Sequence, residues 1–348
     1  MKFSHPDRRA APFAARSGGM VAKSRRTPTR LGMIVGERKG NILGPGCVTS
    51  DSQVGLMFRR VAMNWMTRTS LPLVVGAVLL LGATAVQADE VAKTYTVGGH
   101  ARIRVQTDDG AVRVSTGDIK QVEIRVVYSG YQLDKNLRVT TAQNGDSVEV
   151  VAKTMGNWGF HWGVNHTSLR VEVHMPKDAD LEVTSGDGSV EADSINGNLE
   201  VKTGDGHITV QGARGDIRLH TGDGAIEGRD LDGKVDASSG DGHINIEGRF
   251  DSLNIRTGDG SVTARAKGGS NVQSEWNIKT GDGSVDLELP GELKANLDAS
   301  THDGHISLGI PVTVEGMFSS SRVSGKMNGG GPAIVVRTGD GSIHLSKT

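Results

Sequence analysis

The sequence predicts an all-β fold, a parallel β-solenoid with two short strands per coil of about 18 residues and an irregular β cap at its N-terminal side. Three observations carry this. Gly-Asp-Gly returns at a fixed interval, with Asp187, Asp205, Asp223, Asp241 and Asp259 each eighteen residues after the last. A second turn lies nine residues after each of these, at Asn196-Gly197, Arg214-Gly215, Asp232-Gly233, Phe250-Asp251 and Gly268-Gly269. Between turns, apolar residues alternate with polar ones, which marks strands buried on one face.

The alternation repeats position by position. After the corners come Val190/Ala192, Ile208/Val210, Ile226/Gly228, Ile244/Ile246 and Val262/Ala264. Before the next corners come Leu199/Val201, Ile217/Leu219, Val235/Ala237 and Leu253/Ile255. A meander of hairpins does not require equivalence every second strand; a coil stacked on its own copy does. Successive coils are then about 4.8 Å apart. The corner glycines are expected to supply positive φ, and Asp to bond its own turn backbone. Ser185, Thr203, Thr221, Ser239, Thr257, Thr280, Thr301 and Thr338 precede the corners and form a predicted hydroxyl ladder. Looser corners follow at Asp282, Asp303 (in "THDG") and Asp340.

The chain divides into four parts. Residues 1–56 are rich in Arg, Lys, Gly and Pro without apolar periodicity and read as a disordered basic leader ahead of the natural start. Residues 57–88 read as a signal peptide. Arg59, Arg60 and Arg68 precede the apolar run from Leu73 to Leu81, and Val86-Gln87-Ala88 offers small residues for cleavage after Ala88. Residues 89–177 form the N-terminal β region, with strands such as "QVEIRVVY" and "LRVEVHM" and an aromatic loop at 155–166. "TDDG" at Thr107–Gly110 resembles a degenerate corner. Residues 178–348 form the GDG-repeat solenoid.

Charge and cysteine narrow the function classes. Of 39 basic and 40 acidic residues, thirteen and three lie before Asp89, leaving 26 basic against 37 acidic in the remainder. An acidic domain is a poor partner for phosphate backbones, so no nucleic acid is expected. The single cysteine, Cys47, precedes the apolar run. The remainder therefore has no disulfide, thiolate or cysteine metal site. The expected location is periplasmic, cell-surface or secreted, with membrane attachment only if the signal segment stays uncleaved.

"MPKDADLEVTSGDGSVEA" and "GNLEVKTGDGHITVQGARGDIRLHTGDG" resemble the bacterial putative-adhesin domain of unknown function with β-strand repeats. That family has a P-x-x-A-x-L-x-V lead-in, here Pro176, Ala179, Leu181 and Val183, and repeated T-G-x-G-x-V corners. The resemblance runs from about Val91 to the C-terminus. It implies an exported β-solenoid with an adhesin-like role and no defined activity.

Candidate chemistry is weighed against that architecture. Carboxylates about 4.8 Å apart repel by roughly 1 kcal/mol in water and about 3–4 kcal/mol at an effective dielectric of 20. Asp187, Asp205, Asp223, Asp241 and Asp259 are thus solvated structural corners or, as the lesser alternative, calcium ligands; no cofactor is otherwise expected. His207, His220, His243 and His305 read as exposed strand residues rather than metal ligands. Trp158, Phe160, His161 and Trp162, with His166 nearby, pack as a cap or form a binding platform. Arg214-Gly215-Asp216 spells an attachment tripeptide but falls on a second corner, and Gly145-Asp146-Ser147 lacks the context of a lipase block. Catalysis needs unlike groups converging in a cleft, whereas these polar groups recur as rows. The expectation is therefore no enzyme but an exported solenoid binding a cell-surface or envelope component, protein or glycan. A purely structural periplasmic scaffold and a glycan-acting β-helix enzyme are the alternatives.

Overall fold

The computed structural model describes residues 88–156, 167–315 and 319–348. Strands dominate them, and no helix occurs among the described residues. The N-terminal block holds β1 (Asp89–Thr96), β2 (Ala101–Thr107), β3 (Ala111–Gly117) and β4 (Gln121–Ser129). It continues with β5 (Leu137–Asn144), β6 (Ser147–Thr154) and β7 (Ser168–Pro176). The regular repeats supply β8 (Ala179–Ser185), β9 (Val190–Asp193), β10 (Leu199–Thr203), β11 (Ile208–Gln211) and β12 (Arg214–Thr221). Next come β13 (Ile226–Ser238), β14 (Ile244–Arg256), β15 (Val262–Ala266), β16 (Trp276–Lys279) and β17 (Val285–Leu289). The C-terminal part adds β18 (Ala295–Thr301), β19 (Ile306–Leu308), β20 (Thr313–Val314) and β21 (Arg322–Met327). β22 (Ala333–Thr338) and β23 (Ile343–Lys347) close the chain.

The all-β, solenoid-like arrangement follows from the pairings. β8, β10 and β12 pair in parallel with Val183, Val201 and Leu219 in register. β9, β11 and the first half of β13 do the same with Val190, Ile208 and Ile226. The equivalent residues are eighteen apart and fully buried or nearly so. β13 and β14 each run through the second turn and belong to two layers at once. Where Gly228 leaves a gap in its ladder, a register shift brings Leu231 inward, and its Cδ1 lies 2.7 Å from where a Gly228 Cβ would stand.

The hydroxyl ladder is a relay between layers. All nine corner residues from Thr107 to Thr338 are buried. Thr221 Oγ1 donates to the Gly206 carbonyl at 3.0 Å and accepts from the Gly224 N–H at 3.1 Å. Ser239, Thr257, Thr280 and Thr338 donate equivalently to Gly224, Gly242, Gly260 and Gly283. An inward polar atom in an apolar interior needs such partners, which is why the position takes only Thr or Ser.

The corner glycines have a different reason from the expected one. None of them has φ in the left-handed region. Instead each passes under the layer before it. A Cβ on the second glycine of a corner would lie between 1.9 and 2.2 Å from the preceding layer's carbonyl oxygen, 2.2 Å for Gly206 against Gly188. Positive φ belongs to the other turn, at Gly215 (122°) and Gly233 (128°).

Stack order and chain order part company at both ends. β2 pairs in parallel with β6 on one edge and β8 on the other, and β3 likewise with β7 and β9. The parallel layers therefore continue on the N-terminal side of residue 178, and residues 89–177 contribute layers as well as a cap. At the far end, β22 lies between β16 and β18, and β23 between β17 and β19. The corner of Asp340 thus follows that of Asp282, and Asp303 comes last, a reversal of the expected order. The two corners that depart from glycine lie toward the ends of the stack. "THDG" puts His302 where an interior corner has glycine, in the outermost of the corner layers, and its N–H donates to the Gly339 carbonyl at 2.8 Å. "TDDG" puts Asp108 there, in the layer next to β6 and β7, where Asp108 Oδ2 accepts from the Thr154 N–H and Oγ1. Antiparallel strands cover the outer layers: β5 on β6, β4 on β7 with β1 beyond, and β21 on β18. Such cover removes open parallel edges.

Candidate binding surfaces

The GDG aspartates form an exposed edge. Asp187, Asp205, Asp223, Asp241 and Asp259 all lie on the surface. Each leans over the next layer: Asp187 Oδ1 lies 3.0 Å and Asp223 Oδ1 2.9 Å from the Cβ positions of Gly204 and Gly240. Among the described residues none of the five makes an ion pair, and no three His, Cys, Asp or Glu side chains converge as metal ligands would. Calcium takes six to eight oxygens around one point; a line with one carboxylate per layer does not fit that cage.

The histidines bridge layers. His207 Nδ1 accepts from the Ala225 N–H at 3.0 Å, while His220 Nδ1 lies 2.7 Å from Ser238 Oγ and His305 Nδ1 3.1 Å from Ser342 Oγ. His243 is exposed. Arg214-Gly215-Asp216 lies within β12, its backbone paired to Asp232–Lys234 of β13, so it is a stacked turn rather than a protruding loop. Asp146 accepts from the N–H groups of Gly98 (2.7 Å) and Gly99 (3.3 Å), an anchoring role between strands. Trp158, Phe160, His161, Trp162 and His166 lie outside the described residues. β6 ends and β7 begins where the other layers turn.

Charged clasps tie the outer rows together. Arg249 reaches Asp251 at 2.7 and 3.0 Å and Asp232 at 2.5 Å. Arg265 reaches Glu288 at 2.6 and 2.8 Å, and Lys267 lies 2.9 Å from Glu247. The hydrogen bond from Arg249 holds the Asp251 carboxyl below its usual range, and those from Lys267 and Arg265 do so for Glu247 and Glu288. Burial and the neighbouring Glu191 push Asp193 the other way.

A groove missed at the sequence level lies across β3, β7, β4 and β1, with a volume of 430 Å³. Two other depressions measure 230 and 180 Å³. Its polar lining joins Arg113 and Ser115 of β3, Glu172 and His174 of β7, Glu123 and Arg125 of β4, and Thr94 of β1. Ser115 Oγ lies 3.0 Å from His174 Nδ1, and Arg125 spans Glu90 (2.7 Å) and Glu172 (3.6 Å). Arg113 has one long pair, 3.4 Å to Glu191. Alternation alone shows that these side chains point outward. Their adjacency depends on β4 turning back against β7, which no short-range signal encodes.

Residues 100–346 match the family description "Toastrack DUF4097". The chain belongs to the Toastrack family. That membership agrees with the adhesin-like domain of unknown function suggested by the repeated corners. Among solved structures, the Toastrack chain is similar to a "putative cell adhesion protein" from Clostridium sporogenes, at 12% identity and TM-score 0.28, covering 75% of this chain and 100% of that one. It is similar to a "putative adhesin" from Bacteroides fragilis at 10% identity and TM-score 0.36, covering 75% and 97%. A "putative lipid binding protein" from Parabacteroides distasonis gives 17% identity and TM-score 0.41, covering 74% and 96%. No curated protein matches the chain.

Proposed function

We propose that this Toastrack chain is an exported, non-catalytic β-solenoid, two short strands per coil, that binds a cell-surface or envelope component. The observation that carries the reading is the groove across β3, β7, β4 and β1. There, unlike polar side chains from four strands replace the repeating rows found along the regular layers. Arginine and carboxylate groups side by side with hydroxyls suit the hydrogen-bonding edges of a glycan or an extended peptide. The apolar run before Ala88 and the acidic remainder support export. The layers supply a rigid support, since each buried ladder is held on both sides by in-register neighbours.

Pull-down from envelope extract tests this with three proteins: the wild type, an Arg113→Ala/His174→Ala variant and a Trp158→Ala/Trp162→Ala variant. The groove reading expects a partner that the first variant loses and the second keeps. Loss only in the tryptophan variant moves the site to the aromatic segment. Recovery of no partner by the wild type favours the scaffold.

A further inference from the structure

The C-terminal coil occupies a slot made by other segments. β16 and β17 form one wall, β18 and β19 the other, and β22 and β23 fill the space between. Ile334, Val336, Ile343 and Leu345 of this coil are 0% exposed, and Thr338 continues the hydroxyl relay to Gly283 at 2.7 Å. The chain builds the far wall first and only then returns through β21 to fill the gap. The mirror case at the other end, β2 and β3, is threaded into the chain at both ends. β22 and β23 come after every other strand of the described residues, so both walls of their slot precede them in the chain.

The connection to it is short and contorted. Five residues, 328–332, join β21 to β22. Asn328, Gly329 and Gly330 all have left-handed φ, at 49°, 90° and 87°. Asn is the kind of non-glycine residue that accepts this region, because its short polar side chain can bond locally. The Asn328 side-chain amide donates to the carbonyls of Gly291 and Leu293 at 2.9 and 2.8 Å. An identical coil from a second copy would make every slot contact that the resident coil makes. Only the hinge would differ, and a short hinge is the arrangement that invites exchange between chains.

We propose that the slot between β17 and β19 accepts the C-terminal coil of a second copy, giving a dimer with reciprocally exchanged β22–β23. The exchange occurs during folding, while the slot is open, and is retained once the layers close. Two full-length chains, both Cys47→Ser, test it: one carries Asn277→Cys and the other Val335→Cys, positions that are register partners on the outer face. Unfolded together and refolded under oxidation, the mixture should give a 277–335 cross-linked dimer whose share grows with protein concentration. Mixing the folded chains should give none. Deleting Gly329 and Gly330, which closes the short turn, should convert the protein to dimer at every concentration. Refolded chains that stay monomeric throughout overturn the proposal, as does a dimer without the 277–335 bond. A bond formed equally between folded chains also overturns it, because that is collision. Should the deletion variant fail to fold, the mixed refolding decides alone.

Discussion

Replacing Gly206 with alanine separates the role of the corner glycines from that of the aspartates between them. The added Cβ would stand 2.2 Å from the Gly188 carbonyl oxygen, where ordinary contact begins near 3.4 Å. The obstacle is backbone, so relief requires opening two layers by about 1 Å where their spacing is about 4.8 Å. Overpacking of this kind costs about 1–3 kcal/mol. The same displacement stretches the Thr203 hydroxyl bonds to the Gly186 and Gly188 carbonyls, each worth about 1 kcal/mol. The sum is roughly 3–5 kcal/mol, a fall in melting temperature on the order of 10 °C for a domain of this size. Asp205→Ala, at an exposed carboxylate, should stay within about 0.5 kcal/mol of wild type. Circular dichroism melts and urea titrations of the two variants measure both. A Gly206→Ala protein as stable as wild type, or an Asp205→Ala protein as damaged as Gly206→Ala, would refute the reasoning.

Three further outcomes are expected. Thr221→Val keeps the shape but strips the Gly206 carbonyl and Gly224 N–H of their partner, which should cost roughly 2–4 kcal/mol in urea titration. EDTA, followed by added calcium, should leave the melting temperature unchanged; a drop that calcium reverses would assign the aspartate edge a metal. Stability held by Glu247, Glu288 and Asp251 is complete above their ordinary values of 4.5 and 3.8 and is lost as pH falls through their depressed ones. Melting temperature should therefore decline below about pH 4.5, less steeply in Arg265→Met; the exposed partners keep this effect small and salt-sensitive.

Much of the layer chemistry was legible in the residues. The eighteen-residue period, the alternation of Val201 with Lys202 and the Thr or Ser before each corner all report directly on which atoms face the interior. The reason for Gly206 was not legible, because turn conformation and close approach select the same residue. The interchange of β22–β23 with β18–β19 was also hidden. "THDG" and "TGDG" differ by one residue, and that difference does not say which layer stands outermost. The groove escaped as well: Arg113, Glu123 and His174 meet through long-range antiparallel pairing. The block of residues 89–177 looked irregular because its layers are interrupted by β4 and β5, which belong to the cap.

The layered account is tested most directly by which disulfide forms in the monomeric Cys47→Ser protein carrying three further cysteines, Asp286→Cys, Ser307→Cys and His344→Cys. His344 is the register partner of both others, so 286 and 307 lie two layers apart. Neighbouring parallel layers fall within the roughly 4.4–6.8 Å Cα separation a disulfide needs, and twice the spacing does not. Peptide mapping should find 286–344 and 307–344 bonds and no 286–307 bond. A dominant 286–307 bond would mean that the chain winds in simple order, and the stacking described here would be wrong.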